Sequence, residues 1–76
     1  METIKTPLTI LERVVDEQQS LKKKLEKLED FIDNNRIFET VSDMQRVLLV
    51  TQLNAIKLYL YTLDERIWDL SPKSLS

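Results

Sequence analysis

RVVDEQQSLKKKLEKLEDFI, residues 13–32, is the stretch whose reading decides the fold. Apolar residues recur at Leu11, Val14, Leu21, Leu25, Leu28 and Ile32, with spacings that alternate between three and four. Gln18 falls in the same series as its one polar member. That alternation is a heptad seam, the signature of a helix packing along its length against another helix. A polar residue in a seam ordinarily sets register. Asp33-Asn34-Asn35 breaks the pattern, and asparagine tolerates the left-handed conformation that ends helices. This substitute matters in a chain without glycine.

Upstream, Thr6-Pro7 reads as an N-cap followed by proline at the first helical position, and Thr9-Ile10-Leu11-Glu12 offers a second start with capping-box spacing. Residues 1–6 read as frayed. Downstream, Arg36–Val41 reads as a connector whose Ile37, Phe38 and Val41 pack over the end of the pair. Ser42-Asp43-Met44-Gln45 has the S-x-x-Q spacing of a capping box and opens a second helix. Its seam is Leu49, Leu53, Ile56, Leu60, Leu63, Ile67 and Leu70, and Ser71-Pro72 stops it. The expected fold class is all-α: an antiparallel two-helix hairpin assembling into a helical homo-oligomer. The first helix covers about residues 7–33, the connector 34–42, the second helix 43–70 and a tail 71–76.

The assembly follows from size and from the second helix. At 76 residues, with no cysteine and no histidine, the chain has neither the disulfide nor the ordinary zinc site that staples small domains. A partner chain is the remaining device. Val47–Val50 and Leu58–Tyr61 are apolar through a full turn, so they point in every direction around the helix and one partner cannot cover them. Met44, Leu48, Ala55 and Leu58 form a second stripe, interrupted by Thr51 and Thr62. Each large side chain left exposed forfeits roughly 1.5–3 kcal/mol of burial.

Composition also closes function classes. Without histidine, cysteine or glycine there is no imidazole or thiol chemistry and no Gly-rich phosphate loop. No nucleophile–base–oxyanion arrangement is evident, so an enzyme is not expected, and neither a cofactor nor a metal site is expected. No apolar run approaches the roughly 18 residues of a membrane span, and the opening does not read as a signal peptide. A net charge of −2 argues against bulk attraction to long nucleic acid.

The charged residues beside the seam remain. With Leu11, Gln18, Leu25 and Ile32 at position a, Lys22 is e, Lys23 is f and Lys24 is g. With Leu53, Leu60 and Ile67 at a, Arg66 is also g. Such flanks are ordinarily solvated or ion-paired, as Lys22 with Glu26 at i,i+4 or Glu29 and Asp30 with the rest. Tyr59, Tyr61 and Trp68 are ordinarily packing residues. The sharper reading is that copies bring Lys24 and Arg66 from different chains to one cleft for a small polyphosphorylated ligand, arginine as a fork and lysine as a point charge.

Two runs carry a resemblance. They are Arg13-Val14-Val15-x-Glu17-x3-Leu21-x2-Lys24-Leu25-x-Lys27-Leu28-x2-Phe31-Ile32 and Leu49-x2-Gln52-Leu53-x5-Tyr59-x3-Leu63-x2-Arg66-Ile67. The pattern, over residues 8–70, resembles the helical-hairpin family of phage anti-CBASS and anti-Thoeris sponge proteins. The resemblance implies a non-catalytic immune-evasion protein that works in the host cytoplasm. It would sequester cyclic di- or trinucleotides between protomers of a homo-oligomer, commonly a hexamer. Lys24 and Arg66 fall where the family places basic ligand-contacting residues. Thr9 and Leu11 fall where members carry a base-stacking aromatic, and this chain has none there, a departure that counts against a dinucleotide-type pocket. The additional β-rich part of anti-Thoeris members, which bind a cyclic ADP-ribose isomer, has no room here. Alternatives are a structural or adaptor coiled coil that docks on a protein, and a sponge for the ADP-ribose-type signal.

Overall fold

The computed structural model describes residues 7–72. Three helices follow one another: α1 (Pro7–Asn34), a four-residue α2 (Ile37–Thr40) and α3 (Asp43–Leu70). α1 and α3 pack side by side as an antiparallel hairpin, which is the all-α arrangement the two heptads predict. Residues 1–6 and 73–76, and with them the Thr6 cap and most of the tail, lie outside the described residues. Helix α1 begins at Pro7, so Thr9–Glu12 lies within it rather than starting it. Among the described residues no helix is long and apolar enough to cross a membrane.

Both seams face inward. Val14, Leu21 and Leu63 are buried, and Leu63 is wholly so at 0% exposure. Ile10, Ile56, Leu60, Ile67 and Leu70 pack half-buried around them. The polar seam position is also used: Gln18 Nε2 donates to Asp64 Oδ1 across the hairpin at 2.6 Å. A helix that slid by one turn would break this bond, so Gln18 sets the register of α1 against α3. Nearer the connector, Lys57 Nζ lies 3.9 Å from Glu29 Oε2 on the other helix. The expected Lys22–Glu26 pair does not form among the described residues. Glu29 reaches across the hairpin instead, while Lys22 and Glu26 are both exposed and gain little from pairing in water.

The end of α1 corrects a second expectation. No described residue has positive φ, so no left-handed asparagine closes the helix. Asn34 Nδ2 instead donates to Asp30 Oδ1 at 2.9 Å, and Asn35 N donates to Phe31 O at 3.3 Å. Asn35 Oδ1 then accepts from Ile37 N at 2.9 Å, an Asx turn that starts α2 directly. Within the connector, Phe38 meets Phe31 edge to face with ring centroids 6.1 Å apart. Phe38 and Val41 are half-buried over the hairpin end. Ile37 is exposed, because adjacent helical residues diverge by about 100° and Phe38 takes the inward direction. Ser42 caps α3, its Oγ accepting from Gln45 N at 3.1 Å. Arg46, in the first turn, donates to Asp43 Oδ1 and, at 3.4 Å, to Glu39 O, tying α3 to the connector.

The core is small and the outer surface is not. Met44, Val47, Leu48, Val50, Leu58, Tyr59, Tyr61 and Trp68 are all exposed on α3, Leu58 by 67% and Met44 by 65%. The threonines that interrupt this stripe turn their hydroxyl protons back to the helix. Thr51 Oγ1 donates to Val47 O at 2.8 Å and Thr62 Oγ1 to Leu58 O at 3.1 Å. With the hydroxyl proton turned back to the helix, each presents a methyl group outward.

Candidate ligand site

Heptad position g places Ile10, Glu17, Lys24 and Phe31 of α1 on the same side of the hairpin as Gln52, Tyr59 and Arg66 of α3. Two depressions open on that side. One, with a volume of about 310 Å³, is lined by Ile10, Thr62, Glu65, Arg66, Asp69 and Leu70. The other, of about 340 Å³, is lined by Lys24, Lys27, Leu28, Phe31, Gln52 and Ile56. Arg66 and the opening turn of α1 therefore meet at one end of the hairpin. Thr9 and Leu11 flank Ile10 in sequence and are themselves half-buried. Lys24 lies elsewhere. Levelled on the Gln18–Asp64 bond, Lys24 and Arg66 stand about 12 Å apart along the axis at the helical rise of ~1.5 Å per residue. One hairpin thus presents two cationic stations on one side, in two separate depressions.

The chemistry of each station is legible. The Arg66 side chain is exposed and makes no hydrogen bond or ion pair among the described residues, and the same holds for the Lys24 side chain. A guanidinium without an internal partner, beside the apolar side chains of Ile10 and Leu70, can take phosphate on its fork while a base lies against the apolar floor. Lys24, with Lys27 one turn on and Phe31 beside it, offers a point charge and an aromatic ring. Glu65 and Asp69 border Arg66 and temper its field. Lys27, Phe31 and Ile10 were not singled out as site residues in the sequence. Their shared side could have been found by continuing the g series along both helices. Among the described residues no group of three or more metal-ligating side chains occurs.

Each depression is an open dent at the lower limit of the roughly 300–1,000 Å³ typical of small-molecule sites, where most of the ligand is covered. A ligand much larger than either depression would remain largely exposed on one hairpin. The geometry sets exposed cationic side chains beside apolar floors in two shallow, separate depressions.

The Sequestin family model matches residues 8–69, which span both long helices and the connector. The chain belongs to the Sequestin family. The family's name points to sequestration of a ligand, in keeping with a sponge-like protein. No curated protein and no solved structure matches the chain.

Proposed function

We propose that the protein is a phage immune-evasion sponge. In this reading it binds cyclic di- or trinucleotide second messengers in the host cytoplasm, keeps them intact and so blocks CBASS-type signalling. Membership of the Sequestin family is the observation that carries the reading. The two unpartnered cationic stations on one side of the hairpin give it chemistry, and the exposed face of α3 gives a reason for protomers to assemble around a ligand. The working form is a homo-oligomer, with the hexamer as the assembly the resemblance implies. Arg66 and Lys24 contact phosphates, while Thr9 and Leu11 border the Arg66 end. Mechanism is mass action: each bound messenger is one that no effector receives.

Isothermal titration against a panel of cyclic di- and trinucleotides, with a cyclic ADP-ribose isomer included, tests this. Micromolar or tighter binding of a cyclic oligonucleotide is expected, with the ligand recovered unchanged by mass spectrometry. Losing one charge-assisted phosphate contact is worth roughly 1.5–3 kcal/mol, so Arg66→Ala should weaken binding about 10- to 150-fold with helicity unchanged. Lys24→Ala should act in the same direction. Silence from every cyclic oligonucleotide sinks the reading. Binding of the ADP-ribose ligand alone would redirect it to that signal, and no small-molecule binding at all would favour a protein-docking coiled coil.

A further inference from the structure

We propose that Gln18 and Asp64 are positioning residues for the Arg66 station, acting on ligand affinity through the level of one long helix against the other. In the heptads of the two helices Gln18 is a, Asp64 is e and Arg66 is g. The Gln18–Asp64 bond therefore crosses on the e side of α3, away from the g side where both depressions open. The Glu29–Lys57 contact crosses on that same e side, from e of α1 to e of α3. One side of the hairpin carries links between the helices, and the other carries the two cations that take no part in them. Gln18 is itself oriented for this task. Its Oε1 accepts from Gln19 Nε2 at 3.3 Å, and its Nε2 donates across to Asp64.

Apolar packing alone does not fix that level. The other seam residues are aliphatic and repeat with one alternation, so a slip of one turn sets aliphatic side chains against each other again. The connector holds the closed end of the hairpin, through the Phe31–Phe38 contact and the Arg46 bond to Glu39 O. The Arg66 depression lies at the open end, where Ile10 comes from the first turn of α1 and Leu70 from the last turn of α3. Between the two stands the Gln18–Asp64 bond, about 3 Å along the axis from Arg66 at ~1.5 Å per residue. A slip of one turn would carry Arg66 about 5.4 Å past Ile10. That exceeds the roughly 4.0–4.5 Å at which side chains touch, so the guanidinium would leave its apolar floor. The slip would also strand half-buried Gln18 against a leucine, with no acceptor for its amide. This positioning role rests on the sponge reading for its ligand, but the level itself can be read without one.

Isothermal titration with cyclic di- and trinucleotides and methyl nuclear Overhauser spectra without ligand test the assignment together. Gln18→Leu should weaken binding about tenfold, the lower end of the cost of losing the Arg66 contact, while the protein stays fully helical. Asp64→Asn keeps an acceptor oxygen and should bind like the parent; Asp64→Ala should behave like Gln18→Leu, and it carries the test if Gln18→Leu fails to fold. Adding Gln18→Leu to Arg66→Ala should weaken binding no further, since a residue that acts through Arg66 has nothing left to position. Without ligand, the cross-peak between the Ile10 and Leu70 methyls should be present in the parent and in Asp64→Asn, and lost or doubled in Gln18→Leu. Parental affinity in Gln18→Leu, or losses that add in the double variant, overturn the positioning role. An unchanged Ile10–Leu70 cross-peak in Gln18→Leu overturns it with or without ligand. A parent that binds no cyclic oligonucleotide, beside a variant that loses the cross-peak, sinks the sponge reading and leaves the register pin standing.

Discussion

Replacing Leu58 by alanine separates a lone hairpin from an assembling one. In the single chain this side chain is 67% exposed, so its truncation should change hairpin stability by no more than about 0.5 kcal/mol. Buried between protomers, the exposed two-thirds of a leucine is worth about 1–2 kcal/mol, taking roughly 1.5–3 kcal/mol for the whole side chain. If two copies pair through this face, the residue is used twice, which gives about 2–4 kcal/mol per pair. At ~1.4 kcal/mol per decade the dissociation constant rises roughly 30- to 700-fold. Sedimentation equilibrium over a dilution series reads that change directly, and circular dichroism at high concentration should show helicity retained. Leu63→Ala is the contrast. Its side chain is fully enclosed between α1 and α3, so truncation should cost about 3–5 kcal/mol and unfold the hairpin itself. A Leu58→Ala protein with the mass and melting curve of the parent at every concentration would refute the argument that α3 carries an interface.

Two further outcomes follow from the hairpin alone. Ser42→Ala removes the oxygen that receives Gln45 N and should cost about 1 kcal/mol, read as a fall of about 4–8 °C in Tm. An unchanged Tm would mean the cap contributes nothing. Gln18→Leu exchanges an exposed hydrogen bond for a buried methyl-bearing side chain and leaves Asp64 hydrated, so the denaturation midpoint should rise. The amide resonances should broaden as the register pin is lost. A lowered midpoint would show that the Gln18–Asp64 bond outweighs the apolar contact it displaces.

Heptads made the hairpin legible. Every seam residue from Leu11 to Ile32 and from Leu49 to Leu70 is at least half-buried, because strict alternation of three and four leaves one inward face available. Gln18 was equally readable, as the one polar seam position and hence a register device. The connector was not. Its course depends on Asn35 Oδ1 reaching Ile37 N and on one aromatic contact, and those local bonds have no periodicity to betray them. Ile37 was misassigned for that reason. The basic residues of the site were visible as types and as g positions. What the sequence left open was their level along the axis, which the Gln18–Asp64 bond and the Lys57–Glu29 contact establish. That level places Arg66 beside Ile10 and sets Lys24 apart.

The turned-back hydroxyls of Thr51 and Thr62 bear on how the exposed face of α3 meets water. A threonine whose proton is already engaged has little hydration to shed on docking, and it strands no donor once docked. Yet undocked, its oxygen lone pairs still receive water from the side, breaking a greasy strip into short lengths. The same two residues thus interrupt the apolar strip without leaving a hydroxyl donor that needs an outside partner.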